Sequence, residues 1–196
     1  MTPVDLLKSL SGPASFAGAP FGADLITFCR ALEARGGIGL YVARDDKSAS
    51  TARRLAQFIS PRLDCTDLPG WDTLPYDRVS PTPGVAARRC AGLARLARYD
   101  PSQGPLLVIT TATSLVQRVP PVSTLRRASF SVSIGQTVSQ NDLTEYLSVN
   151  GYVRAGTVRE HGEFAIRGGI IDIFPPTSGE PYRLDFFGDT LETLRT

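Results

Sequence analysis

REHGEFAIRGGIIDIFPP, residues 159–176, is the stretch on which the reading of the second half of the chain turns. Arg167-Gly168-Gly169 sets a charged side chain beside two residues without a Cβ, just before the apolar run Ile170–Phe174. This pattern predicts strands at Glu163–Ile166 and Gly169–Phe174, the second with a cationic start and so little side-chain cover that its backbone can approach a partner closely. On a regular strand, alternation would put Arg167, Gly169 and Ile171 on one face, and a bulge at the glycines would break that register. Arg154, in GYVRAG (151–156), joins Arg167 if the two segments are neighbours. Taken singly, each arginine reads as a solvated charge on a strand edge.

Working outward, Tyr182–Phe187 reads as a further strand, Gly188-Asp189 as a hairpin turn, and TLETLRT (190–196) as the return strand. A strand that runs to the last residue is the expected mark of a piece of a longer chain. Upstream, Tyr152–Val158 is extended, Ser139–Asn150 is a helix carrying Leu143, Tyr146 and Leu147, and ASFSVSIG (128–135) is a strand. Pro120 and Pro121 remove two backbone donors and bar a helix across that point. The division is therefore placed there, giving domains 1–119 and 120–196.

The first half follows an α/β order. A helical start from Asp5, a helix at Asp24–Glu33, an apolar strand at Ile38–Ala43 and a helix at Ser50–Ile59 are expected, with Asp45 or Ser48 capping the last of these. Pro61–Pro83, dense in proline and aromatics, reads as an ordered surface loop without regular structure, followed by a helix at Val85–Ala97. LLVIT (106–110) is the short continuous apolar run of a strand buried on both faces of a parallel sheet. The turn TTATS leads into a short helix, Ser114–Arg118.

Composition narrows the functional classes. Hydrophobic residues make up 42% and charged residues 20% of the 196 positions, as in ordinary globular proteins, and no apolar run reaches membrane-spanning length. The N-terminus lacks the basic, apolar and small-residue succession of a secretory signal, so a cytoplasmic location is expected. Cys29, Cys65 and Cys90 are odd in number and form no C-x-x-C pair, which speaks for reduced thiols and against a disulfide framework or zinc site. The net charge of +2 is too small for bulk attraction to nucleic acid, although arginine supplies nearly all the positive charge, Lys8 and Lys47 being the only lysines.

Catalytic arrangements are missing from the sequence. SLSGPASFAGAPFGAD (9–24) offers Gly12, Gly18 and Gly22 but no G-K-[ST], and Pro13 and Pro20 remove donors that a phosphate cradle needs. No serine sits in G-x-S-x-G, and the only histidine, His161, lies between Glu160 and Glu163 as a turn residue, with too few neighbouring ligands for a metal. No catalytic residue, no cofactor and no metal is therefore assigned.

Read together, LPGWDTLPYDRVSP (68–81), ITTATSLVQRVPP (109–121), GYVRAGTVREHGEFAIRGGIIDIFPP (151–176) and YRLDFFGDTLETLR (182–195) resemble the N-terminal region of the bacterial transcription-repair coupling factors, the Mfd family. The resemblance runs from about residue 66 to the end. The same region is similar to the helicase UvrB, which shares R-G…IDIFP and FFGD but keeps a working P-loop. The resemblance implies a degenerate RecA-like, P-loop-type parallel-sheet domain followed by a smaller α+β inserted domain that docks on UvrA. It implies UvrA contacts at Arg154 and Arg167, with Phe164 and Ile171 beside them, and Ala165 stands where UvrB carries a further arginine. For the full-length family protein it implies RNA polymerase and double-stranded DNA as partners. ATP and magnesium belong to its motor domains, and a C-terminal domain masks the UvrA surface until activation. Two rival readings are a UvrB-like nucleotide-dependent helicase fragment, whose Gly/Ala-rich start binds ATP in an unorthodox way, and a DNA-binding module that sets its arginines on phosphates.

Overall fold

The computed structural model describes residues 5, 12, 13, 15, 17–20, 22–74, 76, 78–176 and 178–196. The helical start expected after Asp5 lies outside them, as do residues 9–11, 14, 16 and 21 of the glycine-bearing 9–24 stretch. The chain divides into two compact units, Met1–Ser123 and Thr124–Thr196.

The first unit is built on three parallel strands, β1 (Ile38–Ala43), β2 (Asp64–Leu68) and β3 (Leu106–Thr111), in the order β1-β3-β2. Every residue of β3 is buried, as its unbroken apolar run requires of a central parallel strand. Helix α1 (Ala23–Arg35) brings Leu25, Cys29 and Leu32, and α2 (Asp46–Ile59) brings Ala52 and Ala56, against Leu107 and Ile109 of β3. The start of α2 is fixed by Asp45, whose carboxylate accepts the Ser48 backbone N–H at 2.7 Å and satisfies one of the free donors of the first turn. Helix α3 (Pro83–Ala97) lies so close to β2 that a Cβ at Gly92 would fall 2.4 Å from the Asp67 carbonyl oxygen.

β2 lies within the stretch read as loop, and the sequence pattern explains why. DCTDL has no apolar run because its carboxylates are answered from the helices: Arg95 pairs with Asp64, and Arg53 and Arg88 pair with Asp67. The short helix α4 spans Ala112–Leu115, earlier than the expected Ser114–Arg118, because the Thr111 hydroxyl accepts the Ser114 N–H and starts it there. An additional helix, α5 (Val122–Arg127), follows the double proline.

The second unit is a mixed five-stranded sheet in the order β4-β5-β6-β7-β8. The strands are β4 (Val153–Arg154), β5 (Glu163–Arg167), β6 (Ile170–Ile173), β7 (Tyr182–Phe187) and β8 (Thr190–Arg195). β4 runs parallel to β5 and the remaining neighbours are antiparallel. One helix, α6 (Gln140–Val149), capped by Ser139, sets Leu143 and Leu147 on Phe164, Ile171, Ile173, Leu184, Phe186 and Leu191. The 128–135 segment forms no strand. Instead Gly135 and Val138 donate to the Leu191 and Asp189 carbonyls and Gln136 accepts from Leu191, so the chain meets the start of β8 irregularly.

The glycine pair has a different job from the one its sequence suggests. Gly168 and Gly169 are the two-residue turn between β5 and β6, closed by the facing pair Arg167 and Ile170. Gly168 takes φ 61°, and a Cβ on Gly169 would meet the Phe186 carbonyl oxygen at 2.6 Å. That turn suits glycine at both positions. The bare backbone is thus used inside the unit, where Gly169 accepts the Phe186 N–H at 2.7 Å.

Candidate protein-binding surface

The pleat assigns each side chain of the second sheet to a face. Phe164 and Ile166 of β5 face the same way as Ile171 and Ile173 of β6 and Leu184 of β7, over α6. Arg167, Asp172, Arg183, Asp185, Thr193 and Arg195 therefore share the opposite face.

On that face two arginines are neutralised within the sheet. Arg183 makes a two-pronged contact with Asp172, Nε to Oδ1 at 2.7 Å and Nη2 to Oδ2 at 2.9 Å, which raises its pKa further. Arg195 pairs with Asp185, which also accepts the Thr193 hydroxyl at 2.5 Å. The hydroxyl first, and then the guanidinium, hold the Asp185 carboxyl below the ordinary carboxylate range.

Arg167 is held differently. Its Nη2 donates to the Gly156 carbonyl at 2.6 Å and to the Thr157 hydroxyl at 2.8 Å, both neutral groups. The side chain is exposed and none of its bonds is to a carboxylate. Nε and Nη1 make no hydrogen bond among the described residues. The loop that supplies Gly156 and Thr157 is closed by Glu163, which accepts the backbone N–H groups of Arg159 and Glu160 at 2.8 and 2.9 Å; these two bonds lower its pKa.

The four residues expected in the contact separate. Arg154 and Arg167 do lie on neighbouring strands, since Arg154 faces Phe164 in register. Their side chains nevertheless leave the sheet on opposite sides: Arg154 follows Phe164 and Arg167 does not, because facing residues point together and successive ones apart. Arg154 is exposed and makes no hydrogen bond or ion pair among the described residues. Phe164 and Ile171 are 1% and 0% exposed. They form the interior that fixes the strands, and have no surface to give a partner. The register does break at the glycines, by a two-residue turn and not a bulge, which places Ile171 opposite Ile166 and so on the face away from Arg167.

Asp172, Arg183, Asp185 and Arg195 were not singled out from the sequence, although Arg183 and Asp185 stand two apart in a strand, the spacing of one face. Thr157 carries no such signal, since only the fold brings it to Arg167. His161 stacks on Phe174 with ring centroids 4.0 Å apart and meets the Ser178 carbonyl at 3.0 Å, the setting of a turn residue.

The sheet carrying this surface belongs to a recognised class: residues 130–196 match the UvrB interaction domain. Over most of its length the chain is homologous to the N-terminal region of the transcription-repair-coupling factor. It is 31% identical to the Haemophilus influenzae transcription-repair-coupling factor over 175 residues, 89% of this chain and 15% of that protein. Against the Escherichia coli protein the identity is 38% over 146 residues, 74% of this chain and 12% of that protein. Against the Mycobacterium tuberculosis protein it is 37% over 131 residues, 65% and 10% of the respective lengths. The chain therefore spans a small part of these relatives.

Proposed function

We propose that this region is a non-catalytic recruiting module that binds UvrA, with Arg167 as its principal anchor and Arg154 as a second contact around the β4 edge. The reading rests on one observation above the others: on a face where Arg183 and Arg195 are answered by Asp172 and Asp185, Arg167 alone has only neutral partners. A guanidinium held in this way keeps its charge and suits a carboxylate on a protein, to which its remaining N–H groups can donate charge-assisted hydrogen bonds. In this reading the first unit is a degenerate RecA-like scaffold that works without nucleotide. The intact protein is a cytoplasmic ATP-driven translocase that acts on RNA polymerase stalled on double-stranded DNA, and its C-terminal domain covers the UvrA surface until activation. Among the described residues no helix is long and apolar enough to cross a membrane.

The rival reading as a phosphate-binding module is disfavoured by Asp172 and Asp185, which stand among the arginines and would repel a polyanion. Titration of UvrA into the chain tests the proposal. Arg167→Glu is expected to weaken association at least thirtyfold, about 2 kcal/mol. Arg154→Glu is expected to weaken it less, and both variants should melt within a few degrees of the parent. Undiminished binding by the double variant would sink the reading. Salt-sensitive binding to duplex DNA without UvrA would favour the rival.

A further inference from the structure

We propose that Thr157 is a positioning residue for this surface: its hydroxyl, with the Gly156 carbonyl, holds the Arg167 guanidinium by Nη2 so that a remaining donor, Nε or Nη1, meets a partner carboxylate. The inference rests on the reading of Arg167 as the anchor.

The geometry supplies the case. An exposed arginine ordinarily samples many rotamers, and fixing them on binding costs conformational entropy. Here Nη2 is engaged at 2.6 and 2.8 Å by two acceptors from one loop. That loop is itself tied to β5, Ala155 donating to the Phe164 carbonyl at 2.8 Å while Glu163 takes the backbone N–H groups of Arg159 and Glu160. Both acceptors are taken by Nη2, which leaves the N–H groups of Nε and Nη1 to donate singly. A carboxylate placed on Nη2 in their stead would have to displace them. No carboxylate enters the arrangement, so the full positive charge is kept while its direction is set. Arg183 and Arg195 are also oriented, but by Asp172 and Asp185, which cancel their charge. Thr157 thus does for Arg167 what the aspartates do for the other two, without neutralising it.

The test is a double-mutant cycle on UvrA affinity, with a thermal melt and a salt series for every variant. Thr157→Val is expected to weaken binding about three- to tenfold, because it removes one of two orienting bonds, and Thr157→Ser, which keeps the hydroxyl, should bind within about twofold of the parent. In an Arg167→Ala background, Thr157→Val should have no further effect. The salt dependence should fall with Arg167→Ala and stay unchanged with Thr157→Val, since the charge remains. Thr157→Ala gives the same comparison should valine disturb the fold. The proposal is overturned if Thr157→Val costs as much without Arg167 as with it, or if serine fails to rescue. Loss of binding on Arg167→Ala with no effect at Thr157 sinks the positioning role alone. Full binding by Arg167→Ala sinks the anchor reading and this inference together.

Discussion

Each unit contains an arginine held by neutral acceptors and by no carboxylate, and the two lie in opposite surroundings. Arg89 of α3 is 1% exposed: its Nη1 donates to the Pro69 carbonyl at 2.6 Å and to the Ser114 hydroxyl at 2.7 Å, and its carbon centre sits 5.1 Å from the centroid of the Trp71 ring. Its Nη2 is buried with no hydrogen-bond partner among the described residues, and burial lowers the pKa of the guanidinium. Arg167 has similar partners but stands in solvent. The difference separates structure from recognition. A sealed guanidinium ties the proline-rich loop and α4 to α3, whereas an open one keeps donors for another molecule.

The contrast is sharpest under truncation. Arg89→Ala should cost about 3 kcal/mol of unfolding free energy, because it opens a cavity and strands the Pro69 carbonyl and Ser114 hydroxyl. Urea unfolding would measure it, and the emission of Trp71, the only tryptophan, should shift to the red as its cover is lost. Arg89→Met, similar in length and free of the unpaired Nη2, should recover much of the loss. UvrA affinity should hardly move in either variant while the chain stays folded. Equal effects of Arg89 and Arg167 substitutions on binding would erase the distinction between the units.

A smaller effect tests the frame under Arg167. Gly169→Ala must displace the Phe186 carbonyl and so pull β6 from β7, costing about 2 kcal/mol, whereas alanine at Gly179, whose Cβ site is open, should cost far less. The smallest is electrostatic and belongs to the first unit. Hydrogen bonds from the Ser48 hydroxyl and backbone, then Arg44, hold Asp45 at about 2 against an ordinary 3.8. A carboxylate with a depressed folded pKa adds stability above its unfolded pKa and loses it as pH falls through the folded one. Asp45→Ala should therefore melt a few degrees lower at pH 7, and the gap should close between about pH 4 and pH 2.

Legibility followed from how local each signal was. The LLVIT strand, the Ser139–Asn150 helix and the Tyr182–Phe187 hairpin were readable because an apolar run, the helical spacing of Leu143, Tyr146 and Leu147, and a Gly-Asp turn are each local. β2 was not, because its polar side chains are satisfied by Arg53, Arg88 and Arg95 from helices elsewhere in the chain. Arg154 and Arg167 were identifiable as residues, and as a pair only on condition that their segments were neighbours, but not as lying on opposite faces. Face depends on register, and the register of Arg154 against Phe164 is set by the β4–β5 pairing, which no local pattern in the sequence fixes.

The close seat of Gly169 on β7 has a consequence for anyone wishing to transplant this surface. The charge at position 167 is aimed from a corner whose height above the neighbouring strand is set by the absence of one methyl group. A graft that carries the arginine but fills that gap would deliver the same ion to the wrong address.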